Sequence, residues 1–220
     1  MKHIPNALTL SNLLFGCLSI FFSFNQNLEM AGYCIIFGAI ADFLDGFVAR
    51  ALKVSGELGA QLDSLSDMVT FGVAPGFIAL QLISPTHDFW LIAFIIPLCA
   101  AIRLAKFNIA EASQNFTGIP SPACGMFWAA TAIGGISFIP EEWQSWFILL
   151  CILTTALLMV APLEIISFKF KNLKWAGNQM RYLFIVLSIA TILIFRWASA
   201  PIILVLYLVC SLANRFTLTE

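Results

Sequence analysis

Eight apolar runs, at 7–24, 30–52, 58–83, 89–107, 118–139, 143–168, 180–195 and 197–212, take up most of the 220 residues and are separated by short polar breaks. Their lengths suit a bilayer. About 20 apolar residues of helix cross the hydrocarbon core, and a helix satisfies its own backbone where water cannot. Charged residues make up 10% of the chain and hydrophobic ones 60%, against roughly 25% and 45–50% in soluble domains. A soluble fold is therefore close to excluded, and so is disorder. The expected fold is an all-α, polytopic membrane helical bundle of about eight helices, six forming a core and two added at the C-terminus. The last two runs are short and parted by Arg196 alone. No length remains for a soluble domain, so 1–220 reads as one integral-membrane domain. Lys2 before an apolar run has the look of a signal peptide, but no small-x-small cleavage site follows, and the first run is expected to be retained.

Eleven basic residues against twelve acidic ones give a net charge of −1, without the basic face that nucleic acid requires. The six cysteines form no CxxC or zinc spacing and read as reduced small hydrophobes. Orientation follows from the basic residues near the ends of the runs. With the N-terminus inside, Lys2, Arg50, Lys53, Arg103, Lys106, Lys169, Lys171, Lys174, Arg181 and Arg215 all fall on the cytoplasmic side, leaving only Arg196 outside. Glu29, Asp88, Glu141 and Glu142 then occupy the outer loops. Both termini are expected in the cytoplasm. Trp143, Trp146, Trp175 and Trp197 read as interfacial anchors. Lys169, Lys171 and Lys174 read as an orientation signal or an anionic-lipid contact. His3 and His87 have no metal-ligand spacing.

Four acids interrupt this pattern: Asp42 and Asp45 in the second run, Asp63 and Asp67 in the third. An Asp at mid-helix depth costs roughly 2.5–3.5 kcal/mol to insert, so these need compensation even near the membrane surface. Asp42 and Asp45 are spaced i, i+3, and Asp63 and Asp67 i, i+4, so each pair projects from one helix face. The second and third runs are joined by a short polar turn and should lie antiparallel, bringing the pairs to similar depth. Four converging carboxylates form an oxygen-rich site for a hard divalent cation, Mg²⁺ or Mn²⁺. Two such ions about 3.5–4 Å apart clamp a phosphoryl group during displacement. The alternative is mutual neutralisation with Arg50, Lys53, Arg103 and Lys106. Gly46, Ala49 and Gly59 on the same helices allow close approach of either a flat ligand or a neighbouring helix. Pro75, with Gly72 and Gly76, is expected to kink the third run beyond the acids and open space for a ligand.

The arrangement Asp42-x-x-Asp45-Gly46-x-x-Ala49-Arg50, eight residues, then Gly59-x-x-x-Asp63-x-x-x-Asp67 resembles the signature of the CDP-alcohol phosphotransferase family at every defined position. The resemblance covers roughly the first six runs. Ile4-Pro5-Asn6, Thr9-Leu10-Ser11-Asn12, the segment 63–75, Arg103-Leu104-Ala105-Lys106-Phe107-Asn108 and Gly118-Ile119-Pro120-Ser121-Pro122 resemble the phosphatidylserine synthase branch. Phosphatidylglycerophosphate synthases usually carry an Arg near Ser11-Asn12, which this chain lacks.

The resemblance implies two metal ions, Mg²⁺ or Mn²⁺, held by Asp42, Asp45 and Asp63, with Asp67 touching the second ion and acting as general base. It implies a CDP moiety lying against Gly46, Ala49 and Gly59, with Arg50 near the diphosphate. The implied reaction is CDP-diacylglycerol plus L-serine giving phosphatidylserine and CMP at the cytoplasmic face of a prokaryotic plasma membrane. Arg103 and Lys106 are candidates for the serine carboxylate or the lipid phosphate, or else positive-inside anchors. Asn108, Ser121 and Asn12 are candidates for contacts to serine, or else helix caps and cross-links. A homodimer among membrane lipids is expected by resemblance. Rival readings are another acceptor, glycerol phosphate or inositol phosphate, and a divalent-ion transporter. The transporter predicts acids spread through the membrane depth.

Overall fold

A computed structural model describes residues 3–54, 56–83, 89–109, 117–134, 136, 139–162 and 178–218, with 212–218 as backbone only. All the regular elements among them are helical. They are α1 (His3–Phe24), α2 (Leu28–Ala51), α3 (Glu57–Asp67), α4 (Ala74–Leu82), α5 (Ile95–Ile109), α6 (Ser121–Gly134), α7 (Glu141–Val160), α8 (Gln179–Phe195) and α9 (Ala200–Leu218). A π-helical segment, Met68–Val73, joins α3 to α4, and short 3₁₀ turns, Trp90–Phe94 and Arg196–Ser199, precede α5 and α9. Six stretches are long and apolar enough to cross a membrane: His3–Phe24, Leu28–Ala51, Glu57–Leu82, Trp90–Ile109, Glu141–Val160 and Gln179–Ser211. Lys169, Lys171, Lys174, Trp175, His87 and Asp88 lie outside the described residues, as does the end of the sixth predicted run.

α1 shows how a chain folds when its solvent is lipid. Its buried face is Pro5, Thr9, Asn12, Gly16, Ser19 and Ser23, alternating steps of four and three along one stripe. Every member is small or polar. Ile4, Leu10, Leu14, Phe21 and Phe24 point outward. Lipid contact carries no penalty for those side chains, so small residues draw the helices together and polar ones bridge them. Ser19 Oγ donates to the Ala31 carbonyl at 2.9 Å, and Phe15 meets Phe37 with centroids 5.7 Å apart, the descending register of an antiparallel α1–α2 hairpin. Asn12 meets Asp67 and Gln26 meets Gln81, each across 55 residues, so α1 runs parallel to α3 and α4. Ser64 with Asn108 and Phe77 with Phe94 set α5 antiparallel to that stretch.

The third stretch differs from the expected kink. Its helix widens over Met68–Val73, where the Ala74 N–H reaches back to the Val69 carbonyl, an i→i−5 bond that inserts one residue. The wide turn ends just before Pro75, whose ring would otherwise meet the carbonyl four residues earlier. Among the described residues the segment packs closely rather than opening space for a ligand. Gly72, Pro75 and Gly76 are buried, and a Cβ on Gly72 or Gly76 would meet Ala100 Cβ at 2.9 Å or Pro97 Cδ at 3.0 Å. These glycines bring α5 close, and the ligand space lies elsewhere.

The core gathers Phe71, Ile78, Ile96, Trp128 and Ile152 from the π segment and α4 to α7, with the Trp128 indole N–H donating to Thr155 Oγ1 at 3.3 Å. α6 is shorter than the predicted run 118–139, with 14 residues. The last two runs are two helices: the chain breaks at Arg196, at φ 50°, and α9 folds back on α8, setting Phe184 against Tyr207 with centroids 5.5 Å apart. All six cysteines are free thiols.

Candidate active site

Helix directions bring the start of α1, the end of α2, the start of α3 and the end of α5 to one end of the bundle. Arg50, Lys53 and Lys106 lie near that end, Arg103 and the four aspartates sit in the same half of the bundle further in, and Glu29 and Arg196 lie at the other end. The acids are thus not spread through the membrane depth, as a transport path would require.

Asp42, Asp63 and Asp67 each present a carboxylate oxygen within 4.8 Å of the others, and all three are half-buried. Asp45 stands apart from this trio. It is buried, and its Oδ2 accepts a hydrogen bond from Thr9 Oγ1, which also approaches the Pro5 carbonyl oxygen at 3.0 Å. On helical spacing alone, Asp42 and Asp45 are equal candidates to face α3. The structure turns Asp42 toward it and Asp45 toward α1. Among the described residues no close ion pair joins any of the four to Arg50, Lys53, Arg103 or Lys106, and of these bases Arg103 lies near enough for its charge to act on Asp67. Three unpaired carboxylates at such separation, all oxygen donors, fit a hard divalent cation.

Beside them a cavity of about 780 Å³ opens between α1, α2 and the start of α3, bordered by Asp42, Asp45 and Asp63. Its size lies within the range of ligand pockets, roughly 300–1,000 Å³. Gly46, Ala49, Arg50 and Gly59 line it. A Cβ on Gly46 would approach only the Arg50 guanidinium, at 3.5 Å, and one on Gly59 only Asn6 Oδ1, at 3.4 Å. Gly46 meets only its own helix, and Gly59 meets α1 only through the end of the Asn6 side chain. Helix approach is served by others: a Cβ on Gly38 would meet Thr70 Cγ2 at 2.6 Å, and one on Gly125 would meet Phe71 Cδ1 at 2.6 Å. The glycines of the aspartate signature keep the cavity wall flat.

Asn12 is fully buried and donates from Nδ2 to Asp67 Oδ1 at 3.1 Å. Its backbone carbonyl accepts from Thr70 Oγ1 at 2.9 Å. Among the described residues its Oδ1 has no hydrogen-bond partner, and a buried acceptor left without one costs about 1–3 kcal/mol. Arg103 is half-buried and donates from Nε to the Ile119 carbonyl at 2.7 Å, so it points into the bundle rather than out as a surface anchor. Ser121 is fully buried, with no partner for its hydroxyl among the described residues. Lys106 and Asn108 are exposed, and Asn108 Oδ1 accepts from Ser64 Oγ at 2.9 Å. Sequence reasoning assigned no role to Thr9, or to His3 and Asn6, which also line the cavity. The signal available was the Thr9–Asn12 spacing of one helical turn, which sets both polar side chains on one face of α1.

This geometry, two short-spaced acid pairs closing on a flat-walled cavity at one end of a membrane bundle, agrees with the sequence comparisons. The CDP-alcohol phosphatidyltransferase family model matches residues 2–213, well beyond the six runs to which the resemblance extended, and the chain belongs to that family. It is 38% identical over 129 residues to the CDP-diacylglycerol–serine O-phosphatidyltransferase of Bacillus subtilis, covering 57% of this chain and 73% of that protein. The Helicobacter pylori (strain 26695) protein of the same name is 28% identical over 214 residues, 93% of this chain and 87% of that one. The archaetidylserine synthase of Methanothermobacter thermautotrophicus is 32% identical over 169 residues, 73% of this chain and 68% of that one. Mycobacterial relatives are longer: the chain spans 57% of the Mycobacterium leprae protein.

Proposed function

We propose that this chain transfers the phosphatidyl group of CDP-diacylglycerol to the hydroxyl of L-serine, giving phosphatidylserine and CMP. The observation that carries the phosphoryl-transfer chemistry is the convergence of Asp42, Asp63 and Asp67 beside the cavity. The choice of serine is supported by the names of the relatives in bacteria and an archaeon.

Asp42, Asp63 and Asp67 would hold the divalent metal, with Asp45 completing the set. Bound there, Mg²⁺ or Mn²⁺ supplies charge neutralisation of the diphosphate and of the transferring phosphoryl oxygens. The cavity takes the CDP head: Gly46, Ala49 and Gly59 give it a flat wall, and Arg50 stands over Gly46 to meet the diphosphate. Asp67 takes the proton from the serine hydroxyl. The serine oxygen forms a bond to the phosphorus that carries the diacylglycerol. The bond from that phosphorus to the bridging oxygen breaks, and its electron pair leaves with CMP. Arg103 is the best-placed candidate for the serine carboxylate: only its Nε hydrogen-bonds to a described residue, leaving its terminal nitrogens for a forked contact. Ser121, whose buried hydroxyl has no partner among the described residues, is the second candidate.

The basic residues gathered at the site end support a cytoplasmic active site under the positive-inside rule. There the lipid keeps its tails in the bilayer while serine arrives from water. The α8–α9 fold-back supports eight crossings with both termini inside. The native assembly is proposed to be a homodimer, with two ions per site.

An acceptor panel tests the assignment. Purified protein with CDP-diacylglycerol and Mg²⁺ or Mn²⁺ is expected to release CMP with serine and far less with glycerol phosphate or inositol phosphate. CMP release with glycerol phosphate and none with serine would refute the serine assignment, and metal flux in liposomes without CMP release would favour transport.

A further inference from the structure

We propose that Asn12 is a positioning residue for Asp67: its amide fixes one carboxylate oxygen so that the other faces the reacting hydroxyl. This rests on the reading of Asp67 as the proton acceptor. Asn12 Nδ2 donates to Asp67 Oδ1 at 3.1 Å, and no described residue donates to the second oxygen. The amide cannot easily move. Thr70 Oγ1 holds the Asn12 backbone at 2.9 Å, and a Cβ on Gly38 would come within 3.0 Å of Asn12 Oδ1. Thr70 sits in the π segment that begins directly after Asp67, so one node fixes both the carboxylate's helix and the amide that orients it. Thr9, one turn earlier on the same face of α1, does the same for Asp45.

Ordinary helix cross-linking through the same N–H is the competing explanation. Both carry an Oδ1 that has no partner among the described residues, so stability and turnover must be measured separately to tell them apart. Leu has the branching of Asn and neither polar atom, so Asn12→Leu removes the unpartnered oxygen and the donor together while keeping the shape.

The test uses the full chain purified in lipid nanodiscs with CDP-diacylglycerol, serine and Mn²⁺. Asn12→Leu is expected to keep or raise the melting temperature while kcat falls roughly 10- to 100-fold, with KM for CDP-diacylglycerol within about threefold of wild type. Asn12→Asp, isosteric but without the donor, is expected to lose kcat at least as severely, and it serves if the Leu variant does not fold. A melting temperature that drops in step with activity in both variants assigns Asn12 to cross-linking and overturns the proposal. Asp67→Asn is measured in parallel. If it is inactive while Asn12→Leu turns over within about threefold of wild type, the positioning role alone is overturned. If Asp67→Asn itself stays active, the proton-acceptor reading falls, and this inference with it.

Discussion

Asp67→Asn is expected to lower CMP release by roughly 10²–10⁴-fold while CDP-diacylglycerol binds almost as well as to wild type. The asymmetry follows from where Asp67 sits. Asp42, Asp45 and Asp63 border the cavity, whereas Asp67 lies one turn further along α3, toward the bundle interior, and is not part of the cavity wall. The amide of Asn is close in shape to the carboxylate, so the fold around it is kept, but it cannot accept the serine proton. The loss should therefore fall on kcat, with little change in KM for the lipid. Steady-state CMP release together with equilibrium binding of CDP-diacylglycerol checks this. Turnover near wild type would remove Asp67 from the role of base.

Asp42→Asn and Asp63→Asn are expected to act differently, abolishing metal-dependent binding of the nucleotide head as well as turnover. These two face each other across the α2–α3 hairpin and border the cavity, so each contributes to holding the ion and, through it, the diphosphate. Metal stabilisation of transferring phosphoryl charge is worth several kcal/mol, on the order of 10³-fold in rate. A Mn²⁺ titration followed by electron paramagnetic resonance, with and without CDP-diacylglycerol, measures the affinity. Unchanged Mn²⁺ affinity in either variant would contradict its assignment as a ligand.

What could be read from the sequence, and what could not, divides along the range of the interactions. The helices themselves follow from apolar run length, and the break at Arg196 separates α8 from α9 as the sequence suggested. The aspartates were conspicuous because a charge within an apolar run needs a cause, and their spacings fixed which helix faces they share. Spacing could not decide that Asp42 rather than Asp45 joins Asp63 and Asp67, because that depends on how α2 is rotated against α1. The partners that fix it, Thr9 for Asp45 and Asn12 for Asp67, lie 36 and 55 residues away. Gly46 and Gly59 could not be told apart from Gly38 and Gly125 by composition, since all are small residues in membrane helices. Only the assembled bundle distinguishes a glycine lining a cavity from one pressed against a neighbouring helix. Pro75 misled for a related reason: the one-residue insertion over Met68–Val73 absorbs it locally, so the helix continues and packs on α5 without opening.

The most direct test of the site is an anomalous difference map from crystals of the protein grown in lipidic medium and soaked in Mn²⁺. The expected result is density for two ions about 3.5–4 Å apart among the carboxylates of Asp42, Asp63 and Asp67, disappearing in Asp63→Asn. Crystals that bind Mn²⁺ only elsewhere, or in which these carboxylates pair with Arg50 or Lys53 instead, would contradict it.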